Sequence, residues 1–113
     1  QARTNVATLA FRGAQPGLFA AINQPTGLII DPTSVANDAG DWVVTFAGNE
    51  DRGDPVAWTP PTDYVSLGDG ISDKAVIRMA LRENAPASDD PDEFTVTSTG
   101  AKAGAMTFSI TKA

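Results

Sequence analysis

The chain has 113 residues, fourteen Asp and Glu against eight Lys and Arg, a net charge of −6, and neither Cys nor His. That length suits one domain with a real core, and the missing residue types exclude disulfides, thiolate nucleophiles, the usual zinc sites and a Ser-His-Asp relay. The basic residues are scattered rather than clustered, so nucleic acid is not an expected partner, and no apolar run is long enough to cross a bilayer, so neither is a membrane.

Taken in chain order, the pattern is of short strands. Residues 6–12, 18–22 and 27–31 are the first candidates, divided by the turn signals Pro16-Gly17 and Pro25-Thr26-Gly27. Residues 32–37 are the one stretch with room for a turn of helix. After Asp38-Ala39-Gly40, residues 41–47 place Trp42, Val44 and Phe46 on one face and Val43, Thr45 and Ala47 on the other. Both faces are fairly apolar, as a central strand requires. Residues 56–58 and 64–67 are shorter candidates, bounded by Arg52-Gly53-Asp54-Pro55, Pro60-Pro61 and Gly68-Asp69-Gly70.

The alternation is clearest downstream. In residues 74–82, Ala75, Ile77, Met79 and Leu81 share a face; Arg78 and Arg82 share the other with Val76 and Ala80. Phe94 and Val96 are expected inward, with Thr95 and Thr97 outward. In the last strand Met106, Phe108 and Ile110 are expected on the core side, with Thr107, Ser109 and Thr111 facing water. A helix would spread these apolar residues around its circumference, whereas a strand segregates them. Punctuation roughly every ten residues then predicts an all-β fold, an antiparallel β-sandwich or jelly roll of about seven to nine short strands. It forms a single domain over residues 1–113, with residues 1–5 as an extended N-terminal arm and residues 13–27 as a second candidate arm, both poor in charge.

Three constellations bear on chemistry. The run Asp89-Asp90-Pro91-Asp92-Glu93 supplies the clustered oxygens that calcium takes, but its spacing fits no calcium loop, and it is read as a solvated acidic hairpin loop. Arg52-Gly53-Asp54 is an adhesion-type tripeptide that is equally an ordinary turn. Trp58 and Tyr64 offer flat faces with polar handles, either as a platform for a sugar ring or as a cap on the core. Trp58, Tyr64, Arg52 and Asp54 are therefore the candidate ligand or partner contacts. No acid stands at an apolar strand position, and no glycine pattern for phosphate is present. No catalytic, cofactor-binding or metal-binding residue is assigned, and the chain is not expected to be an enzyme.

Residues 39–46, 59–67, 75–80 and 93–97 together resemble the β-sandwich domains of tailed-bacteriophage virion proteins, such as capsid decoration proteins, head fibres and tail accessory proteins. In that family a Gly-Asp turn launches a central strand, a Pro-Pro-Gly-aromatic turn follows, and a Phe-Thr-Val-Thr-like strand comes later. Here Thr62-Asp63 stands where Gly would be usual. The resemblance implies a copy-rich structural component on the outer capsid surface. It would cement the major capsid protein's contacts and associate with copies of itself, most naturally as trimers. The alternative is an adhesion or carbohydrate-binding module of a fibre, tail or secreted protein.

Overall fold

The computed structural model describes residues 10, 12–24, 27–50, 58–72, 75–100 and 103–112. Eight strands lie among them: β1 (Ala14–Gln24), β2 (Gly27–Ile30), β3 (Trp42–Glu50), β4 (Trp58–Thr59), β5 (Val65–Ser72), β6 (Ala75–Arg82), β7 (Phe94–Gly100) and β8 (Ala103–Lys112). They build a five-stranded sheet in the order β1-β8-β3-β6-β5 and a three-stranded sheet in the order β2-β7-β4, and every pairing is antiparallel. The molecule is a β-sandwich. No helix occurs among the described residues, and so none is long and apolar enough to cross a membrane.

Several local expectations are corrected. Residues 32–37 are not helical but run irregularly, with Val35 and Asn37 buried. Within the candidate arm 13–27, Ala14–Gln24 forms the whole of β1. Within β1, Pro16-Gly17 is no turn: the pairing with β8 shifts register between Pro16 and Phe19. Proline has no N–H to give the ladder, so an irregularity is where a sheet tolerates it. Gly68-Asp69-Gly70 also lies inside a strand, beside a bulge between Ser66 and Gly68. Gly68 takes φ +113°, and its N–H donates to the Ser66 hydroxyl at 3.1 Å, which seals the bulge locally. Residues 1–5 and the strand candidate 6–12, apart from Ala10 and Arg12, lie outside the described residues.

The largest correction concerns which side of the main sheet is the inside. Between the sheets, Ile30, Phe94 and the half-buried Trp58 meet Val43, Ala47, Ala80 and Ala105 of the five-stranded sheet. The small sheet brings the bulk, so the large sheet answers with small side chains across a gap of about 10 Å. Thr45, Thr107 and Ser109 share this inner side and are buried. The Thr45 hydroxyl lies 3.2 Å from that of Thr107 and donates to the Met106 carbonyl at 3.3 Å, so the hydroxyls are not left dry. Arg78 is fully buried there, donating through Nη1 to the Asn49 side-chain oxygen. Met106, Phe108 and Ile110 occupy the opposite face, with Trp42, Val44, Phe46 and Leu81. In β8, period-two patterning separates the faces correctly and assigns inside and outside in reverse, whereas in β7 Phe94 is buried and Thr95 exposed as expected.

Candidate functional site

The chemically dense region is the loop end of the sandwich, where residues 31–41, 60–64 and 83–93 converge. The first and third of these run side by side, joined by backbone bonds. Gly40 N–H donates to the Ala85 carbonyl (2.9 Å), Ala85 N–H to that of Asp41 (2.8 Å), Ser88 N–H to that of Asn37 (2.9 Å) and Val35 N–H to that of Asp89 (3.1 Å). Asn37 is buried and has all its groups engaged. Its amide donates to the Pro86 and Asp38 carbonyls at 2.8 and 2.9 Å, and its oxygen accepts from Asp89 N–H at 2.8 Å. Gly40, at φ +91°, closes the turn in which Asp38 N–H donates to the Asp41 carboxylate at 3.0 Å. That geometry is the left-handed region glycine enters cheaply.

Asp89 is the hub. It is only 3% exposed, and both its oxygens are taken: Oδ1 accepts from Arg82 Nη1 at 2.8 Å and Oδ2 from the Tyr64 hydroxyl at 2.5 Å. Arg82 also reaches the exposed carboxylate of Asp63 at 3.5 Å. Burial raises the Tyr64 hydroxyl well above the ordinary tyrosine range. The hydrogen bond to Asp89 and that carboxylate's negative charge add to the rise, and Arg82 opposes it. A buried carboxylate needs donors around it, and one guanidinium and one phenol supply them.

The acidic run is therefore not the solvated hairpin loop its sequence implies. It belongs to a crossover, because β6 lies in the five-stranded sheet and β7 in the three-stranded one. Asp89 and Pro91 point into the protein, while Asp90, Asp92 and Glu93 are exposed. Asp92 clamps the 60–64 turn, accepting from Thr62 N–H at 2.6 Å and the Thr62 hydroxyl at 2.5 Å. Tyr64 N–H donates to the Pro61 carbonyl at 3.1 Å, and Asp63 adopts φ +67°. Asp is among the few residues other than glycine that enter the left-handed region at modest cost.

The four candidate contact residues fare differently. Tyr64 is 6% exposed and belongs to the inner apolar cluster, so its ring faces are not presented to a ligand. Trp58 is half-buried and packs on the same cluster, tilted 36° to Phe94 at 5.9 Å between ring centroids. Its indole N–H donates to the Asp69 carboxylate at 2.9 Å, which ties β4 of the small sheet to β5 of the large one. Arg52 and Asp54 lie outside the described residues. Sequence reasoning missed Asp89, Asn37 and Arg82, whose partners come from other segments. Among the described residues no group of three or more His, Cys, Asp or Glu side chains is placed to hold a metal.

Together the fold and this loop end define an antiparallel β-sandwich whose connections are fastened by a buried carboxylate. No family model, no curated protein and no solved structure matches the chain.

Proposed function

We propose that the chain is a non-enzymatic structural module, a decoration (cement) protein on the outer surface of a tailed-phage head that grips capsid subunits with its loop end. The observation that carries the structural part is the use made of Asp89. The most deeply buried acid of the acidic run holds three segments together and presents no reactive oxygen. A loop end fixed this way loses little conformational entropy when a neighbour docks, which is what a cementing contact requires. Exposed Asp38, Asp63, Glu83, Asp90, Asp92 and Glu93 give that end a strongly acidic rim, suited to a basic patch on its partner and repelled by packaged DNA. The virion placement rests on the resemblance of residues 39–46, 59–67, 75–80 and 93–97.

The test is rebinding. Purified chain added to phage capsids stripped of their outer proteins is expected to bind at saturable stoichiometry and raise capsid melting temperature. An Asp90→Lys, Glu93→Lys variant is expected to bind at least tenfold more weakly. Failure of the wild-type chain to bind any such capsid overturns the reading.

A further inference from the structure

A strand at the end of a sheet keeps one side of its backbone open, and β5 holds that place in the five-stranded sheet. It pairs with β6 alone, and the far side of residues 65–69 meets no further strand among the described residues. Two of the three large apolar side chains that stand exposed among the described residues lie here, Val65 at 69% and Leu67 at 38%. The strand is also fixed before any partner arrives. Asp92 clamps Thr62 just ahead of it, Tyr64 is bonded to Asp89, Ser66 closes the bulge onto Gly68, and Trp58 holds Asp69. An edge ordered in this way has little conformational entropy left to lose on pairing.

We propose that the β5 edge takes an extended, basic segment of another protein as a sixth strand of the large sheet. The backbone sets the form of the occupant, because an open ladder is completed by a strand and not by a helix. Charge sets its sign. Asp63 and Asp92 stand exposed at the start of β5, Asp90 and Glu93 flank Asp92 in the chain, and Asp69 is exposed within β5 itself. The cations nearby are already committed. Arg82 lies between Asp89 and Asp63, and Arg78, opposite Asp69 in register, is buried and donates to Asn49. Arg12, the one basic side chain exposed among those described, precedes β1 at the opposite edge.

The same charges argue against a second copy of this chain. A bulge and a charged residue are devices by which an edge turns away unwanted strands, and β5 carries both, the bulge at 66–68 and Asp69. A chain of net charge −6 meets repulsion here. Lys or Arg side chains on an incoming strand instead reach Asp63 and Asp69, and the strand covers Val65 and Leu67. Resting on the reading of the acidic loop end as the capsid-facing side, this names what the capsid subunit brings: an extended basic arm laid along β5 from that end.

The probe is a peptide of β5's own length, 8 residues, alternating lysine and valine, with a peptide of alternating glutamate and valine as control. Fluorescence anisotropy of the labelled peptides on the full chain is expected to show the lysine peptide binding at least tenfold more tightly, with added salt weakening it. Hydrogen exchange is expected to slow at the β5 backbone amides in the complex and not in the small sheet, which charge alone would not do. Val65→Lys with Leu67→Lys places like charge at two exposed positions, keeps the fold by circular dichroism and weakens the lysine peptide at least tenfold. Ile29→Lys, at the third exposed position and on the small sheet, leaves it unchanged. Equal binding of the two peptides, binding without protection of β5, or indifference to the double substitution overturns the proposal. The capsid reading fails separately. A double variant that coats stripped capsids as the wild type does removes the arm on β5 and keeps that reading; a chain that takes the peptide but no capsid does the reverse.

Discussion

Asp89→Asn isolates the fastening of the loop end, because it keeps the size of the side chain and removes its charge. The carboxylate is 3% exposed and accepts from Arg82 Nη1 and the Tyr64 hydroxyl. An amide offers one acceptor oxygen for those two donors and turns an NH₂ group toward the other. Each hydrogen bond to a charged group contributes about 1.5–3 kcal/mol, and unpairing a buried ion costs about 3–5 kcal/mol. The Arg82 side chain is 28% exposed, so water recovers part of its solvation, and a net loss of about 2–4 kcal/mol is expected. At a urea m-value of about 2 kcal/mol/M the unfolding midpoint falls by about 1–2 M. The melting temperature falls by about 8–16 °C for a domain of this size. Tyr64→Phe alone should cost about 1.5–3 kcal/mol, and the double variant should fall short of the sum by at least about 1 kcal/mol, because both substitutions break the same bond. Equilibrium urea unfolding followed by tryptophan fluorescence reads all three variants. Loss of less than about 0.5 kcal/mol in Asp89→Asn, or strict additivity with Tyr64→Phe, would refute the claim that this carboxylate fastens the 60–64 turn and Arg82 to the 83–93 connection.

Tyr64 is the only tyrosine in the chain, so absorbance at 295 nm follows its ionisation alone. Its folded-state value is raised above the ordinary value near 10, so its contribution is complete below about pH 10 and is lost as pH climbs beyond that. The folded protein should show no tyrosinate signal at pH 10.5, and Tyr64→Phe should flatten the alkaline fall in stability. A signal with a midpoint near pH 10 in folded protein would contradict the buried hydroxyl. Asp92→Ala removes both acceptors from Thr62 and should lower stability by about 1–2 kcal/mol in the same urea assay. Gly68→Ala meets open space at its Cβ, so its cost, about 1–2 kcal/mol, comes from φ +113° alone. A neutral result there would mean that the bulge relaxes.

The sandwich was legible in the residues, and the reasons are local. Ala75 to Arg82 segregates its two arginines to one face because a strand's two faces meet different surroundings, Trp42 to Ala47 is apolar on both faces as a central strand requires, and Asp38-Ala39-Gly40 closes the turn its residue types specify. The side of the main sheet that faces inward was not legible. Alternation separates Met106, Phe108 and Ile110 from Thr107 and Ser109 and carries no sign, and the sign depends on Phe94, Ile30 and Trp58 arriving from the other sheet. Gly68-Asp69-Gly70 misled for a related reason: glycine serves a bulge as readily as a turn. The loop-end site was hidden further still. Asp89 reads as one of several solvated acids until Tyr64, Arg82 and Asn37, which lie 25, 7 and 52 positions away, are folded against it.

The pairing of β1 with β8 also decides how the domain can be wired into something larger. Ala14 stands opposite Lys112, so the chain enters and leaves this ladder at neighbouring points, about 5 Å apart. A unit with adjacent ports can be spliced into a surface turn of a host protein without prying that turn open. A load applied through both ports meets the ladder at its end and undoes its bonds in succession, so the domain would yield as a zip rather than resist as a bolt.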